Sequence, residues 1–309
     1  MITVADINAA AARLGTRVRH TPILRLVAGE LGVPTATVLK LELLQHTGSF
    51  KPRGAFNRML STDLPKSGVI AASGGNHGAA VAYAARALGV PAEIFVPEPT
   101  PQAKLDRIAG YGARVVRGGA MYSEAYATCQ ARQAETGALD VHAYDHEAVL
   151  AGQGTVGREF EADAPEITHL LVATGGGGLI GGIAAWYASR IQVISVEPEG
   201  CPCLHDALAT GHPVQAPVGG YAADALGARQ CGAAMFEVAR HHVAGAVLVS
   251  DDAIRSAQRA LWDECRLIAE PGGATALAAL RSGAFTPPPN AIVGVLVCGA
   301  NTDPGKVVS

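Results

Sequence analysis

The sequence predicts an α/β protein of two domains, each built on an open, mostly parallel, twisted sheet. Three observations lead there. Strand-type and helix-type segments alternate from residue 36 onward. The strands are too many for one comfortable sheet, and no low-complexity linker divides the chain, so it is expected to cross between the domains more than once.

The elements follow in order. "ATVLKLE" alternates as a strand and runs towards "HTGSFKPRGAFNRML", where Phe50, Ala55, Phe56, Met59 and Leu60 keep helical spacing. Pro52 is tolerated in that helix because the first-turn amides have no partner anyway. "GVIAAS" is a strand before the helix "HGAAVAYAARALG", which Gly89 stops. "AEIFVP" with "PQAKLDRIAGYG", and "ARVVRG" with "SEAYATCQARQAETG", repeat the unit. After "DVHAY" come a helix over 149–162, the strand "THLLVAT", the helix "LIGGIAAWYASR" and the strand "QVISVEP". "GAVLVS", a helix over 251–267, a helix after "EPGG" and the strand "AIVGVLVC" complete the pattern.

Composition narrows the function. The 309 residues are 49% hydrophobic, enough for a substantial core, and the net charge of −3 leaves no basic footprint for nucleic acid. No run of Lys and Arg suggests a membrane surface, and no stretch offers the roughly 18 apolar residues of a membrane span. The first residues lack a signal-peptide core, so a cytoplasmic protein acting on a small molecule is expected. Six cysteines, unclustered apart from Cys201 and Cys203, are expected as reduced thiols. The "CPC" pair is too closely spaced for structural zinc and has no second pair, so no metal is expected.

In parallel sheets, ligands sit where strands give way to helices. "SGGNHG" opens one helix with bare amides and the side chains of Ser73 and Asn76, a cradle for a carboxylate or phosphate or an ordinary capped turn. "GGGGLIGG" opens another, and four consecutive glycines are costly in chain entropy unless they wrap an anion. Gly176, Gly178 and Gly181 also fit the dinucleotide pattern G-x-G-x-x-G, with Glu197 about 20 residues on. That reading, a nicotinamide-dependent oxidoreductase, leaves Lys51 and "SGGNHG" unexplained. Lys51, at the mouth of its helix, is either a solvated side chain or a nucleophile. Pyridoxal phosphate unites the three features: its aldehyde takes a lysine, its phosphate one glycine loop, and an amino-acid substrate brings a carboxylate for the other.

"HTGSFKPRGA", "SGGNHG", "AGQGT", "GGGGL", "EPGGA" and "VCGAN", in this order, resemble the serine/threonine dehydratase and serine racemase group of fold-type II, tryptophan synthase β-like pyridoxal-phosphate enzymes. The resemblance runs from His20 to Asn301. It implies a large cofactor domain of residues 1–53 and 143–309 and a small substrate-side domain of residues 54–142. It implies that Lys51 is the Schiff-base lysine, Phe50 a wall under the cofactor and Asn76 the partner of the ring hydroxyl. Gly175, Gly176, Gly177, Gly178 and Leu179 would hold the phosphate. Ser73, Gly74, Gly75, Asn76 and His77 would surround the substrate carboxylate. Cys298 would face the pyridine nitrogen, where a thiol is only a weak donor. Tyr144 is a candidate lining of the β-substituent pocket.

The implied activity is an ammonia-lyase that eliminates the β-hydroxyl of serine or threonine; hydroxyaspartate, phenylserine and a hydroxyectoine-derived substrate are alternatives. A serine racemase is the nearest rival, disfavoured because Gly74 stands where the racemase has its serine. A catalytically silent amino-acid sensor is a third class. Glu197 resembles an acidic residue that binds a divalent ion in serine racemase, but Cys203 replaces the expected Asp partner. The resemblance further implies a homodimer and, with the chain ending at Ser309, no added regulatory domain. His241 and His242 are expected at a solvated helix end, and Trp186 and Trp262 in the core or an interface.

Overall fold

A computed structural model describes residues 1–308. In chain order the elements are α1 (Val4–Leu14), β1 (Ile23–Leu26), β2 (Thr37–Lys40), α2 (Lys51–Leu60), β3 (Val69–Ala72), α3 (Asn76–Leu88), β4 (Ala92–Val96) and α4 (Gln102–Gly110). There follow β5 (Arg114–Arg117), α5 (Tyr122–Thr136), β6 (Leu139–Asp140), α6 (Glu147–Asp163), β7 (His169–Ala173), α7 (Gly178–Tyr187) and β8 (Gln192–Pro198). The last are α8 (Cys203–Thr210), α9 (Ala223–Leu226), α10 (Ala233–His242), β9 (Val243–Val249), α11 (Asp251–Cys265), α12 (Pro271–Ser282), β10 (Val293–Leu296) and α13 (Gly305–Val308).

Two sheets result. One has six strands in the order β1-β2-β10-β7-β8-β9, and the other four in the order β5-β4-β3-β6. Every neighbouring pair is parallel except β1 with β2. Central strands such as β3 and β10 are buried along their whole length, as a parallel strand covered on both faces must be. The chain enters the four-stranded unit through α2 and returns to the six-stranded sheet through α6, so both crossings flank one cleft.

Differences from the expected elements are local. The opening "TVADINAAAARL" forms α1, capped by a reciprocal pair in which Thr3 and Asp6 bond each other's backbone amides. The helix expected over 251–267 stops at Cys265, where Arg266 turns left-handed (φ 57°).

Helix α2 is fixed from beneath. Arg53, 1% exposed, donates Nε and Nη2 to the two oxygens of Glu42 at 2.9 and 2.7 Å, and Nη2 also to Glu159 at 2.9 Å. Thr21 donates to Glu42 at 2.6 Å, and Lys40 bridges Glu159 and Asp163 at 2.7 Å each. Paired on all sides, these charges escape most of the cost of burial, whereas removing one partner would strand the others. "AGQGT" is a packing device: a Cβ on Gly154 of α6 would lie 2.7 Å from the Gly182 carbonyl of α7, so only glycine lets the helices meet this closely.

Candidate active site

The N-termini of α2, α3 and α7 converge on a cleft of about 870 Å³ between the two sheets. Lys51 is the first residue of α2, reached through the left-handed pair Thr47 (φ 62°) and Gly48 (φ 71°). Its Nζ donates to the Ala143 carbonyl at 2.9 Å. Burial pushes its pKa down to about 8, against the opposing pull of Cys298 and Glu270. A useful fraction of the amine is therefore neutral, and nucleophilic or basic, near neutral pH.

Ser73, Gly74, Gly75, Asn76 and His77 line the same cleft where β3 gives way to α3. Ser73 Oγ accepts the Gly75 amide at 3.3 Å. The N-cap of α3 is Gly75, with no side-chain cap, so neither Ser73 nor Asn76 is spent on capping. Asn76 donates Nδ2 to Glu270 Oε1 at 2.6 Å and accepts from Asn301 Nδ2 at 2.5 Å. His77 turns its ring to the small core, with Nε2 at 2.6 Å from the Val141 carbonyl. Burial, then the nearby Lys51, pushes its pKa down to about 3, so its ring is neutral.

Gly175, Gly176, Gly177, Gly178 and Leu179 form the opposite wall. Gly177 is left-handed (φ 88°), and an added Cβ there would overlap Met235; one on Gly176 would overlap the Tyr144 ring. The amides of Gly178 and Leu179, first in α7, have no intrahelical acceptor. A recessed amine facing two amide-rich helix starts fits pyridoxal phosphate and the carboxylate of an amino acid.

Phe50 lies under the Lys51 ammonium, its ring centroid 5.2 Å away. Cys298, 4% exposed, donates to the Gly272 carbonyl at 3.4 Å, and burial pushes its thiol pKa up, so it stays protonated. Tyr144 lines the cleft and donates to Gln230 O at 3.4 Å.

Glu197 does not belong to this cleft. Fully buried, it accepts the Leu204 and His205 amides at 2.7 and 2.8 Å and the Ser195 hydroxyl at 3.3 Å, closing the start of α8. A carboxylate so enclosed is not presented to a dinucleotide ribose. Cys203 is buried beside Cys231, with the Glu197 and Asp206 carboxylates also near enough to raise its thiol pKa, and Cys201 donates to the Gly219 carbonyl at 3.2 Å. His20, Glu159 and Asp163 cluster at metal-ligand distances, but the Lys40 ammonium already occupies the space between the carboxylates. His242 ends α10 and contacts the Ser189 hydroxyl at 2.9 Å, and Trp186 donates Nε1 to Glu161 at 2.8 Å.

Several cleft residues carry no role in the sequence reading. Glu270 is the N-cap of α12, and Asn301 lies in the loop between β10 and α13; they belong to the stretches "EPGGA" and "VCGAN", and an acidic residue at a helix start was the available signal. Arg107 of α4 donates to the Thr47 carbonyl at 2.7 Å, and Lys104 pairs with Asp224 at 2.5 Å across the mouth.

Residues 14–299 match the family described as "Pyridoxal-phosphate dependent enzyme". The chain is 40% identical to an L-threonine ammonia-lyase of Geobacter sulfurreducens over 98% of its own length and 76% of the relative's. It is 38% identical to a phenylserine dehydratase of Ralstonia pickettii, covering 97% of this chain and 94% of that one. Among solved structures, maize serine racemase superposes with a TM-score of 0.93 at 31% identity, covering 99% of this chain and 95% of that one.

Proposed function

The chain belongs to the pyridoxal-phosphate dependent enzymes, and on that premise we propose a β-eliminating ammonia-lyase that converts a small L-β-hydroxy amino acid such as threonine or serine to a 2-keto acid and ammonia. When bound, pyridoxal phosphate supplies an aldehyde that bonds an amine and a ring that draws electron density from the substrate's α-carbon. Residues 175–179 would hold its phosphate, Asn76 its ring hydroxyl, and Phe50 and Cys298 its ring. Residues 73–77, at the positive end of α3, would hold the substrate carboxylate.

Lys51 is the base. Its neutral amine would take the α-proton and, as the resulting ammonium, would return it to the β-hydroxyl, which leaves as water; the released enamine then takes up water to give keto acid and ammonia. The Cys298 thiol donates weakly and carries no charge, which leaves the ring a shallow electron sink and favours prompt loss of the β-substituent. In this reading residues 54–142 form the small, substrate-side unit and the rest the cofactor unit. The protein acts in the cytoplasm as a homodimer; no helix among the described residues is long and apolar enough to cross a membrane.

A second reading within the same chemistry takes an aromatic β-substituent. Tyr122, Tyr126, His142 and Tyr144 form a chain of rings beside Lys51, with successive centroids 6.0, 6.2 and 5.0 Å apart. The similarity to a phenylserine dehydratase supports it.

The observation that carries the proposal is the placement of the Lys51 amine between two amide-rich helix starts in one cleft. Keto acid and ammonia released from L-threonine, L-serine and phenylserine test it. Equal amounts of the two products are expected, with loss in Lys51→Ala. Absence of both products from every β-hydroxy amino acid would leave the silent sensor as the better reading.

A further inference from the structure

Glu270 has no part in the reaction described above, yet it lies in the cleft at 6% exposure. Its Oε1 accepts one Asn76 Nδ2 hydrogen at 2.6 Å, and the Asn76 carbonyl is already taken by Asn301 at 2.5 Å. Asn301 is fixed in turn, because its Nδ2 also donates to the Thr47 carbonyl at 2.8 Å and its Oδ1 abuts Gly48. An asparagine amide offers two donor hydrogens and one acceptor oxygen. With one hydrogen given to Glu270 and the oxygen held by Asn301, the second Nδ2 hydrogen is the donor that Asn76 retains for a ligand.

We propose that Glu270 is a positioning residue: as a carboxylate it holds the Asn76 amide in this orientation and so presents the remaining Nδ2 hydrogen to the ring hydroxyl of pyridoxal phosphate. This rests on the reading of the cleft as the site of that cofactor. A neutral carboxyl accepts the Asn76 hydrogen more weakly, since a charged acceptor makes roughly twice as strong a hydrogen bond. The groups facing Glu270 are Asn76 of α3, Lys51 of α2, Cys298 beyond β10, Asp224 of α9, and Lys104 and Arg107 of α4. Burial pushes the Glu270 pKa up to about 7, so the carboxyl changes charge near neutral pH.

Pyridoxine 5′-phosphate keeps the ring hydroxyl and phosphate but lacks the aldehyde, so its affinity reads the hydrogen bonds apart from Lys51 chemistry. Its dissociation constant is measured by equilibrium dialysis against the cofactor-free full chain, for wild type and Glu270→Gln, on both sides of pH 7. Titration of the ligand itself cancels in the ratio of the two. The wild-type advantage is expected to grow from about onefold below pH 7 to roughly tenfold above it. A ratio that ignores pH overturns the proposal. If Glu270→Gln does not fold, wild type against Asn76→Ala reads the same relationship from the donor side, with the same expected rise and the same overturning result. Covalent capture of pyridoxal phosphate by Lys51 beside a pH-independent ratio defeats the Glu270 role alone. Wild-type protein that binds neither compound defeats the cofactor reading and this role with it.

Discussion

The Lys51 ammonium and the Ala143 carbonyl stand 2.9 Å apart, joining the first residue of α2 to the segment that returns from the four-stranded sheet. This bond is one strong acceptor for a buried cation, too little to offset its desolvation, and the lowered pKa of about 8 is the consequence. Capture of pyridoxal phosphate should therefore accelerate as pH rises through about 8, where the neutral amine becomes the major form. Borohydride trapping followed by peptide mass analysis measures it. Label spread over surface lysines, or retained by Lys51→Ala, would count against the assignment.

Cys298 separates a weak ring partner from a strong one. Cys298→Ser keeps a neutral donor of similar size and is expected to retain lyase activity within about tenfold, a change on the order of 1 kcal/mol. Cys298→Asp puts a carboxylate beside the buried Glu270 and should impair elimination or divert it to transamination. It should also lower thermal stability, because like charges share a desolvated site. Keto-acid release and melting temperature are the readouts, and equal activity in both variants would place Cys298 away from the cofactor.

Gly74 bears on elimination against racemisation. The wild-type protein is expected to form little D-serine from L-serine, because Gly74, which the resemblance sets opposite Lys51, has no hydroxyl to return a proton. A Cβ at Gly74 would sit 2.9 Å from the Thr100 methyl, so Gly74→Ser alone should be strained by roughly 1 kcal/mol or more. Adding Thr100→Ser removes that methyl and should recover stability. Chiral chromatography of the double variant should then show a larger racemised fraction, whereas D-serine from wild type at the rate of keto-acid release would favour the racemase.

Burial raises the pKa of Glu197 from 4.5 to about 7 in the folded protein. The sign follows: a folded-state pKa above the unfolded one contributes stability that is full below pH 4.5 and lost as pH rises through about 7. His77, shifted downward, acts with the opposite sign, but it cancels in the difference between wild type and a Glu197 variant. Urea unfolding at a series of pH values should show the difference between wild type and Glu197→Gln falling across this window; a constant difference would contradict it.

Much of the site was legible because its chemistry is written in local patterns. A glycine run after a strand and a lysine at a helix mouth are each readable within a dozen residues, and both line the one cleft. Glu270 was not, because its meaning lies in Asn76, 194 positions away in the chain. The edge strand β1 has only four residues and pairs with β2 alone, so no burial on two faces marked it. The end of helix α10 at His242 was expected, but its start was not: there the Gly232 amide bonds the Gly176 carbonyl, a tertiary contact that local periodicity does not encode. Glu197 fitted a dinucleotide fingerprint by spacing, but spacing says nothing of the amides that enclose it.

The four-stranded unit hangs from the rest of the chain at two points, through α2 and ahead of α6, like a door on two hinges. Across the cleft it is tied by polar contacts: the Lys104–Asp224 pair, with Asp224 74% exposed, the Arg107 bond to the Thr47 carbonyl, and the Asn76 bonds to Glu270 and Asn301. Water replaces an exposed ion pair at a cost of about 1 kcal/mol or less. The pair at the mouth is therefore cheap to part, whereas the part-buried Asn76 bonds behind it tie the loop of residues 73–77 to the larger sheet's side of the cleft.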